Sequence, residues 1–268
     1  MSHINPVALA EMQRFAEQVA MEAAEVIRGY AKAPPRVERK SDASPVTEAD
    51  REAEQLIRAR IHASYPNHGV LGEEGGFERG AGEITWVIDP IDGTRSFVAG
   101  VPLYATLIAA IAGDLTGDNP TETSHALVGV IELPATHQAV SASRGNGART
   151  RLADGSYTVA RVSSIDALAQ GIVCTTDFAD LARRNPALHQ VITESGAQTR
   201  TWGDAFGYFL LATGRVEVMI DPIMNPWDVA PVPVIIEEAG GSFSTTDGKQ
   251  FVGESALATN GRVQLFGH

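Results

Sequence analysis

Apolar residues near the start of the chain fall at Ala8, Met12, Phe15, Val19, Ala23, Val26 and Tyr30, in steps of 4, 3, 4, 4, 3 and 4. That spacing predicts one face of an amphipathic helix, ended by Pro34-Pro35. A polar stretch, Arg36 to Ser44, follows. Pro45-Val46-Thr47-Glu48-Ala49-Asp50 then opens a second helix running to about Ala63, with Ala53, Leu56, Ile57 and Ile61 facing inward. Thr47 and Asp50 have the spacing of a capping box, with Asp in place of the usual Glu.

From Gly69 the period changes. Val70-Leu71 precedes an acidic, glycine-rich loop, Gly72-Glu73-Glu74-Gly75-Gly76, and Trp86-Val87-Ile88 runs into Asp89. Leu103 to Ile111 and Ala126 to Leu133 read as strands joined by a polar loop, with Gln138 to Ser143 as a third neighbour. The Arg/Gly/Asn-rich segment Arg144 to Asp154 is expected to divide an N-terminal α+β lobe (1–145) from a C-terminal α/β lobe (146–268). In the second lobe a strand is predicted at Ile172 to Cys174, a helix at Asp180 to Ile192 and another at Asp204 to Thr213, stopped by Gly214. A strand follows at Val216 to Ile220, then a helix from Trp227 to Ala239 before Gly240-Gly241. Pro231 and Pro233 fall in the opening turns of that last helix and imply an irregular start. The order is helices with a largely antiparallel sheet, then an α/β half, with no internal repeat.

Composition narrows the function classes. Asp and Glu number 33 against 21 Lys and Arg, a net charge of −12, which disfavours sequence-independent nucleic-acid binding. The longest apolar stretch, Val101 to Gly113, is broken by Pro102 and Thr106 and falls short of the ~20 residues that cross a bilayer. The N-terminus lacks a basic segment followed by an apolar run, so no secretory signal is expected. The single Cys174 fits a reducing compartment, and the expectation is a cytoplasmic protein with no membrane partner.

Three acidic clusters close apolar runs: Glu73-Glu74, the segment Asp89-Pro90-Ile91-Asp92-Gly93-Thr94, and Asp228 in Asn225-Pro226-Trp227-Asp228. Carboxylates at the tip of a buried strand are costly to desolvate unless something positive neutralises them. Arg95 is the only basic residue beside the first two clusters, so a divalent cation is the economical neutraliser, and Mg²⁺ prefers such oxygen ligands. Each cluster alone also has a local explanation. An Asp-Gly pair makes a surface turn, Glu73-Glu74 a solvated loop, Asp228 a helix N-terminal carboxylate, and Thr47 with Asp50 a cap. The seven histidines show no metal-ligand spacing. Neither a Gly-x-Ser-x-Gly elbow nor a Walker loop is present, so serine-nucleophile and P-loop chemistry have no support.

Taken in order, Glu-Glu, Asp-Pro-Ile-Asp-Gly-Thr and Trp-Asp ahead of an Ala-Gly-Gly helix end resemble the inositol monophosphatase superfamily along essentially the whole chain. That resemblance implies a layered αβαβα sandwich and a lithium-sensitive, Mg²⁺-dependent phosphomonoesterase, as a homodimer, holding two or three Mg²⁺ per site. It implies Glu73, Asp89 and the Ile91 carbonyl around one ion, and Asp89, Asp92 and Asp228 around a second. Glu73 is taken as the ligand in preference to Glu74. Glu73 and Thr94 would orient and activate the attacking water. Ile91, Asp92, Gly93 and Thr94 would surround the phosphate. Thr47 and Asp50 would stand behind the cluster or form a weak third-metal position, and Lys40 would neutralise charge nearby.

Arg200-Thr201-Trp202-Gly203-Asp204 and Asp221 to Asp228 look most like the histidinol-phosphate phosphatase branch, since inositol-preferring members usually carry small uncharged residues after that glycine. Histidinol phosphate bears an ammonium group, which suits an extra carboxylate from Asp204 or Asp221. Trp202 would supply a wall and Arg200 the substrate-side arginine. Asp204 is equally readable as a helix N-cap. Inositol-1-phosphate, another small sugar or nucleoside phosphate, and a non-catalytic metal-binding role remain the alternatives.

Overall fold

Asn5 caps the first helix by accepting the Val7 N–H, and Pro6 occupies its first turn, where a missing N–H costs nothing. The computed structural model describes residues 5–32, 37–39, 45–113, 121–122 and 125–265. The helix, α1 (Pro6–Tyr30), stops short of Pro34-Pro35, which lie outside the described residues, as does Lys40. Its buried stripe keeps Met12, Val19 and Ala23 but is completed by Leu9, Ala16, Ala20 and Ile27, while Phe15, Val26 and Tyr30 are half-buried. Part of the polar stretch and the Pro-Val-Thr after it form an antiparallel pair, β1 (Val37–Arg39) and β2 (Pro45–Thr47), where no strand was expected. Helix α2 (Glu48–Ser64) starts at Thr47, whose N–H and hydroxyl both donate to Asp50 at 2.8 and 2.6 Å.

Then come β3 (Gly69–Gly72), β4 (Gly76–Glu78), β5 (Ile84–Asp92), α3 (Thr94–Ala99), β6 (Ala105–Ala112), β7 (Thr121–Glu122), β8 (Ala126–Leu133), β9 (Gln138–Ser143), β10 (Ala148–Arg151) and β11 (Tyr157–Val159). The remaining elements are β12 (Ile172–Thr175), α4 (Phe178–Arg184), α5 (Pro186–Glu194), β13 (Gln198–Arg200), α6 (Asp204–Ala212), β14 (Val218–Asp221), α7 (Pro226–Val229), α8 (Val232–Glu238), β15 (Ser242–Ser244), β16 (Phe251–Val252) and β17 (Ala256–Thr259). An eight-stranded sheet has the order β11-β10-β9-β8-β6-β5-β3-β4 and is antiparallel except for β3 beside β5. A five-stranded sheet, β13-β12-β14-β17-β15, is mixed.

Side-chain alternation along the strands builds the layers. Trp86 and Ile88 of β5 pack under α1 and α2, while Val87 between them faces the other way, against Ala230. Cys174 and Met219 meet α6 and α8, while Val173, Val218 and Ile220 meet α4 and α5. The result is the αβαβα sandwich, with the central strands of both sheets covered on both faces. That is why their strands read as apolar runs rather than as alternating patterns.

Two predicted helices are split by proline. Asn185-Pro186 divides Asp180 to Ile192, with Asn185 ending α4 and capping α5. Pro231 separates α7 from α8. The Arg-rich segment after residue 143 supplies β10, so a boundary at 145/146 passes between two strands of one sheet. Its arginines are partners rather than linker residues. Arg149 donates to the buried Glu17 at 2.8 and 2.6 Å, and Arg151 to the buried Glu132 at 2.6 Å.

Candidate active site

The parallel pairing of β3 with β5 sets Gly72, the last residue of β3, opposite Ile88, and both strands run toward the same end of the sheet. Glu73 and Asp89, each one residue further on, emerge side by side, and the Glu73 N–H donates to the Ile88 carbonyl at 3.3 Å. Asp89 is only 1 % exposed. Asp92 lies three residues later, which in a regular strand would point it to the opposite face. The pairing of β5 with β6 slips between Asp89 and Asp92, one extra residue on the β5 side, and this turns Asp92 back toward Asp89. Pro90, within the slip, needs no donor, and its carbonyl accepts the Thr106 hydroxyl at 2.8 Å.

Asp228 arrives from the second sheet's side of the molecule. Asn225 caps α7, and Asp228 accepts the Asn225 N–H at 2.8 Å in a reciprocal capping box. Carboxylate oxygens of Asp89, Asp92 and Asp228 lie within 4.8 Å of one another. Among the described residues, none of the three has a Lys or Arg ion-pair partner.

Burial, then mutual repulsion, governs these acids. Burial and the charges of Glu73, Asp92 and Asp228 hold Asp89 well above the usual carboxylate range. Asp92 is raised likewise by burial and by Asp204 and Asp228, with the Ala205 N–H donating to it in opposition. Asp228 is pushed up to about 7, by burial first. Burial also raises Asp50, against the two hydrogen bonds from Thr47. Glu73 acts on Asp50, Asp89 and Asp228, whereas Glu74 acts on Arg51, so Glu73 is the one of the pair that faces the aspartates.

Gly93, at φ 79°, links β5 to α3. A Cβ there would lie 2.8 Å from the Leu103 carbonyl, so the position excludes a side chain on two counts. Thr94 donates its hydroxyl to the Ile91 carbonyl at 3.0 Å.

A cavity of about 350 Å³ opens beside the cluster, lined among others by Asp92, Arg95, Thr176, Asp204, Asp221 and Asp228. Asp204 is not the N-cap of α6; Gly203 is. Asp204 instead stands in the left-handed region at φ 53°, its N–H donating to the Thr176 hydroxyl oxygen at 3.0 Å and its carboxylate close to Gly93. Thr176 donates its hydroxyl to Asp221 at 2.7 Å, and Tyr208 donates to the other oxygen of Asp221 at 2.9 Å. Burial lifts Asp221 to about 6 and raises Asp204. Thr176 had no sequence signal. It reaches Asp221 because β12 and β14 run parallel with Thr175 opposite Ile220.

Arg200 and Trp202 do not line this cavity. Arg200 ends the edge strand β13, donates to the Thr199 carbonyl at 2.7 Å and lies 5.7 Å over the Trp202 ring, with both residues exposed.

Six aspartates whose native pKa is raised (50, 89, 92, 204, 221 and 228) bind protons that the unfolded chain has released. Stability then falls as pH climbs from the ordinary carboxylate pKa of about 4 through the raised values. His68, lowered by burial, works in the opposite direction but is a single group. In chelator, the thermal midpoint should drop by on the order of 5 °C between about pH 5.5 and about pH 7.5. Mg²⁺ at the higher pH should restore it. A flat midpoint in differential scanning calorimetry would show that these carboxyls are not raised above their ordinary range in the native state.

An αβαβα sandwich with clustered carboxylates at the meeting of its two sheets defines a class also met elsewhere. A sequence model of the inositol monophosphatase family matches residues 8–264, and the chain belongs to that family. It is 39% identical over 229 residues to a histidinol-phosphatase of Chlorobaculum parvum, covering 82% of this chain and 81% of that one. Identity is 35% to the histidinol-phosphatase of Mycobacterium tuberculosis, over 84% of each chain. The Thermotoga maritima IMPase superposes with a TM-score of 0.79 at 27% identity, covering 94% of this chain and 92% of that one.

Proposed function

We propose that this protein is a Mg²⁺-dependent phosphomonoesterase that hydrolyses L-histidinol phosphate to L-histidinol and phosphate. The observation that carries the substrate is the pair Asp204 and Asp221, joined through Thr176 in the wall of the cavity that also holds Asp92 and Asp228. Inositol and most sugars offer no positive charge to such a pair, whereas the ammonium group of histidinol does. Binding it would draw both carboxyls into the ionised form, since an adjacent cation favours the charged state.

The set Asp89, Asp92 and Asp228 fits a hard divalent cation: carboxylates close together, Asp89 fully buried and, among the described residues, none of the three with a Lys or Arg ion-pair partner. Glu73, Asp89 and the Ile91 carbonyl would hold one ion, and Asp89, Asp92 and Asp228 another. Cations there supply charge neutralisation at the phosphate, a more acidic water and stabilisation of the leaving oxygen. The residues supply the rest. Thr94, whose hydroxyl hydrogen is committed to the Ile91 carbonyl, can only accept from a water and so fixes that water's orientation. Glu73 takes the water's proton as its oxygen bonds to phosphorus. The ester P–O bond breaks opposite, and the departing alkoxide takes a proton from solvent. Asp50, hydrogen-bonded twice by Thr47, stands behind Glu73 and keeps its charge local. The reading includes a cytoplasmic homodimer, supported by Tyr157 and Val159, exposed on the edge strand β11, and by the lone, buried Cys174. No described helix is long and apolar enough to cross a membrane.

Phosphate release from histidinol phosphate and from inositol-1-phosphate under one Mg²⁺ condition tests this. The kcat/KM should be at least about tenfold higher on histidinol phosphate, the worth of one charge-assisted hydrogen bond. A higher value on the inositol ester would transfer the assignment to that substrate, and no release from either would leave a metal-binding protein without this activity.

A further inference from the structure

We propose that Glu54 is a positioning residue for Glu73: it sets the backbone of the metal-facing loop from below, without touching substrate or metal. Glu54 lies one helical turn after Asp50, so α2 presents both acids on one face. The two do different work. Asp50 belongs to the repelling cluster. Glu54, 2 % exposed, turns to the segment after β3 and accepts three hydrogen bonds, two from that segment and one from its own helix. The donors are the N–H of Glu74 at 2.8 Å, the N–H of Gly75 at 2.7 Å and Arg58 Nε at 2.8 Å. Arg58 reaches on to the Gly76 carbonyl at 2.6 Å.

An ionised carboxylate buried without partners costs several kcal/mol, and this one is satisfied mainly by the loop it holds. Glu73 therefore sits between two fixed points: its own N–H on Ile88, and its successor's N–H on Glu54. The glycines on either side fit the same purpose. A Cβ at Gly72 would lie 2.4 Å, and one at Gly75 2.7 Å, from the same Glu54 oxygen. A side chain at either position would have to displace the Glu54 carboxylate from the loop. Arg58 also neutralises Glu54, so the anchor adds no net negative charge beside the aspartates.

The inference rests on Glu73 being a metal ligand. Glu54→Gln is the probe. Its amide nitrogen would face a donor, leaving a buried N–H unpaired and the loop unpinned. Calorimetric titration of substrate-free protein with Mg²⁺ alone should give a dissociation constant at least about tenfold weaker, a loss of about 1.4 kcal/mol. Amide exchange at residues 74 and 75 should quicken by a similar factor. The KM for the phosphate ester at saturating Mg²⁺ should stay within about threefold of wild type, since a merely structural defect would lower stability without separating these readouts. Arg58→Met, which removes one donor of three, should weaken Mg²⁺ in the same direction by less, and it decides the matter if Glu54→Gln does not fold. Glu73→Gln is the control. If Glu73→Gln weakens Mg²⁺ while the Glu54 and Arg58 variants bind it as wild type does, the positioning role is overturned. If Glu73→Gln also leaves affinity unchanged, Glu73 is no ligand, and the reading and this inference fall together.

Discussion

Asp92→Asn is expected to lower phosphate release from histidinol phosphate by about 10³-fold or more, equivalent to about 4 kcal/mol at about 1.36 kcal/mol per decade. Asn keeps the shape and can still accept the Ala205 N–H that spans from α6 to β5. What it loses is the charge. Asp92 shares the carboxylate cluster with Asp89 and Asp228 and feels the charge of Asp204 at the cavity. Removing that charge would weaken the hold on the cation proposed to be shared by the three carboxylates, and metal-linked charge stabilisation supplies several kcal/mol to such a reaction. The same substitution should make the chelated protein more heat-stable, because one source of repulsion acting on Asp89 and Asp228 is gone. The two results pull apart activity and folding in one variant. Activity within about tenfold of wild type would show that the cluster does not carry the chemistry.

Asp204→Asn should reduce kcat/KM on histidinol phosphate by about 10- to 100-fold and on inositol-1-phosphate by less than about threefold, since a hydrogen bond to a charged group is worth about 1.5–3 kcal/mol. Asn is among the residues that tolerate the left-handed region, so the φ of 53° at this position adds no new strain. It can also keep its N–H on Thr176. The comparison therefore isolates charge. Steady-state kinetics on both esters, with the variant's thermal midpoint alongside, provides the check. Equal losses on the two substrates would make Asp204 a support for Asp92 and Gly93 rather than the ammonium partner.

Local chemistry was legible where a few neighbouring residues settle it. The Thr47–Asp50 cap, the start of α2 and the strands at 126–133 and 138–143 all follow from spacing and turn residues. Proline breaks were legible in one helix and overlooked in the other, at Pro186. Arg149 and Arg151 hid a strand, because their charges look like linker until Glu17 and Glu132 are seen beneath them. Arg200 and Trp202 were expected on the substrate side from their place in a motif, yet Arg200 ends the edge strand β13, Trp202 follows it exposed, and neither lines the cavity.

The sequence by itself determined which side chains could bear the chemistry: acids closing apolar runs, a glycine after Asp92, and Asp228 at the start of a helix. It could do so because a carboxylate at the end of a buried run needs a reason wherever it occurs. Only the tertiary structure decided which acids face one another. The slip in β5 turns Asp92 toward Asp89, the parallel pairing of β3 with β5 brings Glu73 beside Asp89, and the register of β12 on β14 brings Thr176 to Asp221. Each of these depends on strand pairing between residues far apart in the chain, and register flips a side chain from one face to the other with a shift of a single residue.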